Sequence, residues 1–216
     1  MNPEQAEIAD SYNSLDYWNK RYNNHPDIYD WLCNYKELKE YLAPYKKCRI
    51  LIVGNGSSIL PLEMANDGFE NLTVTDYSET ALKVFKEHCT VNIDVAQLDL
   101  LNNSEIDKFK KNAGLFDIIF DKAVFDCFAA NRHSLETVTT YLIHMAKLLR
   151  VNGQVILASC ADSSLRVSLF KTPQVVQHFT NATSSPDNNE SYVIAHGAPP
   201  SSWYLYGLFK VGSGSK

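Results

Sequence analysis

The residues with the clearest chemical meaning are a glycine turn and an acid that follows it. Gly54-Asn55-Gly56-Ser57-Ser58 closes a continuous apolar run, CRILIVG at 48–54, and Asp76 ends the next one, LTVTD at 72–76. Glycines at such a turn let the backbone bend sharply and let a ligand approach with no Cβ in the way. A carboxylate 20 residues beyond Gly56 can accept both hydroxyl hydrogens of a ribose. A lone GxG reads equally well as a structural turn. Its place after a buried strand, with the acid at the end of the second strand, favours a nucleoside site.

The elements that must position these groups alternate. Strands are expected at 48–54, 72–76, 92–99, 116–121 and 151–159, with helices between them. A short helix follows from Ile59 to Asn66, and Ser78 is placed to cap another that carries Leu82, Val84 and Phe85. Residues 135–149 hold Leu135, Val138, Leu142, Met145, Ala146 and Leu149, the i, i+3, i+4, i+7 stripe of a helix packed on a sheet. Strands alternating with helices make a parallel sheet covered on both faces. YVIAH (192–196) and WYLYGLFKV (203–211) are joined by a Gly/Pro/Ser loop with no helix, so they should be antiparallel. The expected fold is a Rossmann-like α/β domain over 1–211, with a seven-stranded mostly parallel sheet and an antiparallel final strand. GSGSK at 212–216 reads as a flexible tail.

In such folds the turn after the first strand binds dinucleotides or S-adenosylmethionine. The dinucleotide fingerprint wants a third glycine where this chain has Ile59, which weakens that reading. S-adenosylmethionine carries no pyrophosphate and does not need it.

Several segments together resemble one family. YWNKRY (17–22), YDWL (29–32), RILIVGNGSS, LTVTDYSE and FDIIFDKAVFDCF are similar to the eukaryotic lysine methyltransferases that modify translation elongation factor 1-alpha. That group includes the methyltransferase domain fused to endothelin-converting enzyme, and the citrate synthase lysine methyltransferase is related. The likeness covers about 17–160 in order. It implies a class I S-adenosylmethionine-dependent methyltransferase whose partner is a protein presenting a lysine. Residues 1–35 would form a segment covering the cofactor, with Trp18 and Tyr22 over it and Trp31 helping to close it. Gly54 would pass beneath the methionine part, Asp76 would hold the ribose and Tyr77 would pack on the adenine. Asp99 and Leu100 would meet the adenine edge, and Lys122 would lie near the cofactor. Asp121 would be the catalytic position, orienting the substrate nitrogen. Asn55 and Ser57 stand where the family carries Cys and Asn, and Ala123 stands where it carries glycine.

Composition bounds the alternatives. The 216 residues carry 20 basic and 25 acidic side chains, a formal charge of −5, which argues against a nucleic-acid partner. Five cysteines, scattered and without a CxxC pair, read as reduced thiols, and no Cys/His cluster suggests a metal. No run approaches the length of a membrane span, and no signal or transit pattern opens the chain, so a cytoplasmic location is expected. A small-molecule methyltransferase remains as an alternative because it shares every cofactor residue, and a non-catalytic S-adenosylmethionine-binding protein is a second, set against by the intact Gly54, Asp76 and Asp121-Lys122. Residues 160–190 are a candidate substrate lip.

Overall fold

The computed structural model describes residues 11–130, 134–181, 193–196 and 203–210. The tail at 212–216 and the polar stretch ATSSPDNNES at 182–191 lie outside them.

Among the described residues the sheet is preceded by the helices α1 (Leu15–Asn24) and α2 (Tyr35–Leu42). Ser14 caps α1, and Asn34 and Glu37 form a reciprocal capping box at α2. The sheet then begins with β1 (Arg49–Val53), α3 (Leu60–Asn66), β2 (Asn71–Asp76), α4 (Glu79–His88) and β3 (Asp94–Gln97). Ser78 caps α4 by accepting from the Ala81 N–H at 3.1 Å, as its sequence position implied. Next come α5 (Asn103–Ala113), β4 (Phe116–Lys122), α6 (Val124–Ala129), α7 (Ser134–Leu148) and β5 (Leu149–Ser159). The chain continues through α8 (Ser163–Phe170), α9 (Pro173–Val176), β6 (Phe179–Asn181), β7 (Val193–His196) and β8 (Tyr204–Lys210).

The sheet order is β3-β2-β1-β4-β5-β8, with β6 and β7 each paired to the outer edge of β8. The first five strands are parallel; β8 runs antiparallel to β5 and β7 antiparallel to β8. This is a Rossmann-like α/β fold with a mostly parallel sheet and a reversed last strand. The expected count of seven strands is corrected: eight are present among the described residues, because two short strands share the outer edge position. Phe179–Asn181 has only three residues, too few to show a period of two in the sequence.

The sheet is buried on both faces. One face packs Leu51, Val53, Ile119, Val155 and Leu157 against Phe125, Tyr141, Leu142, Met145 and Phe170 from α6, α7 and α8. The other packs Ile50, Ile52, Ile118, Phe120 and Ile156 against Leu38, Leu42, Leu60, Met64 and Phe85 from α2, α3 and α4. The stripe expected over 135–149 is trimmed at both ends. Leu135 is 56% exposed, and Leu149 already belongs to β5.

Among the described residues no helix is long and apolar enough to cross a membrane. All five cysteines are free.

Candidate functional site

The carboxyl ends of the parallel strands open into a cavity of about 720 Å³. Gly54 and Gly56 both take left-handed backbone angles, φ +53° and +59°, where an L side chain is strained. A Cβ on Gly54 would overlap a methyl of Val124, and one on Gly56 would overlap the Tyr22 hydroxyl. Both glycines are therefore required by space as well as by conformation. The Asn55 N–H donates to the Thr75 carbonyl at 3.1 Å and ties the turn to β2.

Asp76 is buried at the end of β2. One carboxylate oxygen accepts the Gly56 N–H at 2.8 Å and the other accepts the Ser78 N–H at 2.8 Å. Burial pushes its carboxyl up to about 6, although the Ser78, Gly56 and Tyr77 N–H groups pull it back down. Asp99 lies beyond β3, and its Oδ1 accepts the Leu101 N–H at 2.8 Å. Leu100 is buried, and its carbonyl accepts from a His144 ring nitrogen at 2.8 Å.

The N-terminal segment covers the turn. Trp18 stacks on Tyr22 with centroids 5.9 Å apart, and its indole N–H donates to the Tyr12 carbonyl at 2.8 Å. Ser78 donates to Asn19 at 2.7 Å, fastening α1 to the start of α4. Trp31 is 45% exposed at the mouth and meets Tyr29 edge-on at 5.4 Å. The Lys122 ammonium donates to Asp30 at 2.8 Å and to the Trp31 carbonyl at 3.1 Å. Asp30 also accepts from Ser58. Lys122 thus holds residues 30–31 to the end of β4 and the glycine turn. All nine expected cofactor residues, Trp18, Tyr22, Trp31, Gly54, Asp76, Tyr77, Asp99, Leu100 and Lys122, line this one cavity.

Asp121, expected to orient a substrate nitrogen, does not line the cavity. Its side chain is fully buried and accepts the Val124 N–H at 2.9 Å, the Phe125 N–H at 3.0 Å and the Tyr141 hydroxyl at 2.7 Å. Side chains alternate along a strand, so Asp121 shares the face of Ile119, under α7, while Lys122 shares the face of Phe120. Burial pushes the Asp121 carboxyl up to about 7. It is an anchor for the start of α6.

Asp126 belongs to the FDIIFDKAVFDCF segment. Here it lines the cavity on the β4–β5 side and accepts from Ser159, from the Cys160 N–H at 2.7 Å and from Arg166 at 2.8 and 3.1 Å. Arg166 lies over the Phe125 ring at 5.6 Å. Asn13, Arg21, Asp30 and Arg166 were also missed, although Arg21 lies one residue from Tyr22 in a quoted motif.

Among the described residues, four buried side-chain polar atoms lack a hydrogen-bond partner: Asn13 Oδ1, Arg21 Nη1, Tyr77 OH and Thr172 Oγ1. The first three belong to residues lining the cavity. Buried polar groups are otherwise nearly always paired, so orphans gathered at one cavity mark a place for a polar ligand. A nucleoside with an amino-acid tail fits a glycine cradle, a buried acid at a strand end and aromatic cover. No group of three His, Cys, Asp or Glu residues that could hold a metal occurs among the described residues.

No family model matches the chain. The chain is similar to EEF1A lysine methyltransferase 4 of Mus musculus, 26% identical over 214 residues, covering 90% of this chain and 79% of that one. EEF1A lysine methyltransferase 2 of Danio rerio is 34% identical over 116 residues, 51% of this chain and 47% of its own. The eEF1A lysine and N-terminal methyltransferase of Mus musculus is 25% identical over 167 residues, 71% of this chain and 22% of its own. The chain therefore spans less than half the length of the last two relatives. Among solved structures, the N-methyltransferase NodS from Bradyrhizobium japonicum WM9 in complex with S-adenosyl-L-homocysteine aligns with a TM-score of 0.60 at 16% identity, over 94% of this chain and 100% of that one. Ribosomal protein L11 methylase from Lactobacillus delbrueckii subsp. bulgaricus aligns with a TM-score of 0.54 at 17% identity, over 82% and 77%. At these identities the structural likeness speaks for the fold.

Proposed function

We infer that this chain, a class I S-adenosylmethionine-dependent methyltransferase, carries the cofactor's methyl group to the side-chain nitrogen of a lysine in a protein. The observation that carries the reading is the closure of Gly56 on Asp76 at the mouth of the sheet, inside a cavity where three polar groups await partners. The names of the curated relatives, which place them on elongation factor 1A, support the acceptor class.

When bound, S-adenosylmethionine supplies a methyl group already activated on a sulfonium, so an in-line attack by neutral nitrogen needs no metal. The chain's work is alignment and exclusion of water. Asp76 holds the ribose hydroxyls, and its N–H partners fix the carboxylate in place. Gly54 leaves room for the methionine arm. Tyr77 and Leu100 pack on the adenine, with Asp99 at its polar edge. Trp18, Tyr22 and Trp31 roof the site, and Lys122 pins that roof through Asp30. Residues 11–35 act as the cofactor cover of the catalytic domain.

The nucleoside end lies by β2 and β3, so the acceptor enters from the β4–β5 side, where Asp126 and Arg166 stand as an ion pair with side chains 12% exposed. A free lysine ammonium has a pKa of about 10.4 and loses its proton more easily when desolvated. Arg166 keeps this end of the cavity from being purely anionic, so the carboxylate of Asp126 does not trap the acceptor as its ammonium.

The test is incubation of the full chain with purified elongation factor 1A and cofactor carrying a labelled methyl group, followed by peptide mass spectrometry. Label on a lysine is expected. Label on another residue type, or only in the small-molecule fraction of a cell extract, overturns the protein-lysine reading.

A further inference from the structure

Arg21 and Asn13 lie in the N-terminal cover, and both line the cavity. Arg21 Nη1 and Asn13 Oδ1 are buried with no hydrogen-bond partner. One is a cationic donor and the other a neutral acceptor. Leaving a charged donor buried and unpaired is costly, more so than for a neutral group. The Arg21 guanidinium also rests over the Tyr29 ring, 5.8 Å from its centroid, which gives the planar group a second support.

We propose that Arg21 and Asn13 form the subsite for the α-amino-acid end of the cofactor. Arg21 donates to the carboxylate, and the Asn13 side-chain oxygen accepts from the α-ammonium. This rests on the S-adenosylmethionine reading above and extends it to residues for which neither motif nor resemblance assigned a role. Position supports it. Asp76 and Asp99 take the ribose and adenine toward β2 and β3, so the amino-acid arm must leave along the glycine turn. Tyr22, the neighbour of Arg21 in α1, lies against Gly56 of that turn. The chemistry matches as well, since a zwitterion needs one cationic donor and one acceptor, and a guanidinium suits a carboxylate through its fixed fork of N–H groups. The subsite makes the chain selective for adenosyl ligands that carry an amino acid over those that carry none.

Two ligands separate this role from a structural one. S-adenosylhomocysteine has the amino-acid end, whereas 5′-methylthioadenosine keeps the nucleoside and sulfur and lacks it. Calorimetry of the full chain with Arg21→Met should show the S-adenosylhomocysteine dissociation constant raised about ten- to a hundredfold, the range of one charge-assisted hydrogen bond. Affinity for 5′-methylthioadenosine should stay at the wild-type value. Arg21→Lys, which keeps the charge, should recover part of the loss, and Asn13→Ala should show a smaller loss with the same selectivity. If wild type binds both ligands and Arg21→Met loses both equally, or neither, the subsite is wrong while the cofactor reading stands. If wild type binds neither, both fall together.

Discussion

Asp76→Asn separates the structural use of that carboxylate from its use in binding. In the folded chain the carboxyl sits at about 6 rather than the ordinary ~3.9, so holding it ionised at pH 7 costs about 3 kcal/mol. Asparagine removes that cost. It also replaces one oxygen by a donor, so either the Gly56 or the Ser78 N–H, each now bonded at 2.8 Å, loses its acceptor. An unsatisfied buried N–H costs about 1–3 kcal/mol, so the two effects oppose and the melting temperature should move little. Cofactor binding has no such compensation. One ribose hydroxyl loses a charged acceptor, and the dissociation constant for S-adenosylhomocysteine should rise about ten- to a hundredfold. The pH profile gives the sign. Ribose donors favour the ionised form, so wild-type affinity should fall as pH drops from 7.5 through 6 to 5, by up to about tenfold per unit below the pKa. Asp121, at about 7, titrates in the same window but lies off the cavity. It is present in both proteins, so the difference between their profiles isolates Asp76. Calorimetry at three pH values reads both effects. Wild-type affinity in the variant, or an unchanged pH profile, would show that this acid does not hold the ligand.

Gly54→Ala forces a Cβ onto Val124 at a left-handed position and should abolish S-adenosylhomocysteine binding, read by calorimetry, while circular dichroism stays folded. Ala123 is held at φ +71° just before α6, so Ala123→Gly should raise stability by about 1 kcal/mol, read by chemical denaturation. Asp121→Asn likewise leaves one of three buried donors without an acceptor while removing a buried carboxyl whose ionisation is costly, so chemical denaturation at pH 7 should show little change in stability, with methyl transfer per folded molecule retained. Asp76 and Asp121 both have raised carboxyl pKa values, so the stability they contribute is full below about pH 4 and is lost as pH rises through about 6 and 7. The ligand-free protein should accordingly melt at a higher temperature at pH 5.5 than at pH 8, and this difference should shrink in the double variant.

The strands with long apolar runs, β1, β4 and β5, were legible because burial on both faces writes a continuous signal. The reversed edge was legible from a loop with no room for a helix. What escaped was short or depended on tertiary contact: β6, with three residues, and the hydrogen bonds that draw Asp30, Asp126 and Arg166 to one cavity across the chain. Ala123 is a partial case. The glycine carried there by the resembled family suggests a left-handed position, and φ +71° supplies the physical reason.

Asp121 shows how a motif can point to the right place and the wrong atom. A DK pair at a strand end puts its two side chains on opposite faces, so one member has to face the helices on the far side of the sheet. The tie-break is what covers each face. Ile119 and Asp121 look toward α7, where Tyr141 offers a hydroxyl, while Phe120 and Lys122 look toward the N-terminal cover, where Asp30 offers a carboxylate. With Asp121 withdrawn, the acid that reaches the acceptor side of the cavity is Asp126, and its oxygens are already engaged by Ser159, Cys160 and Arg166. On the protein-lysine reading, a nitrogen that loses its proton to water before it is sealed in should be methylated faster as pH rises toward the lysine pKa of about 10.4, read as initial rate against pH. On that reading Arg166, paired with Asp126 at this end of the cavity, favours enclosure of the neutral amine over the ammonium.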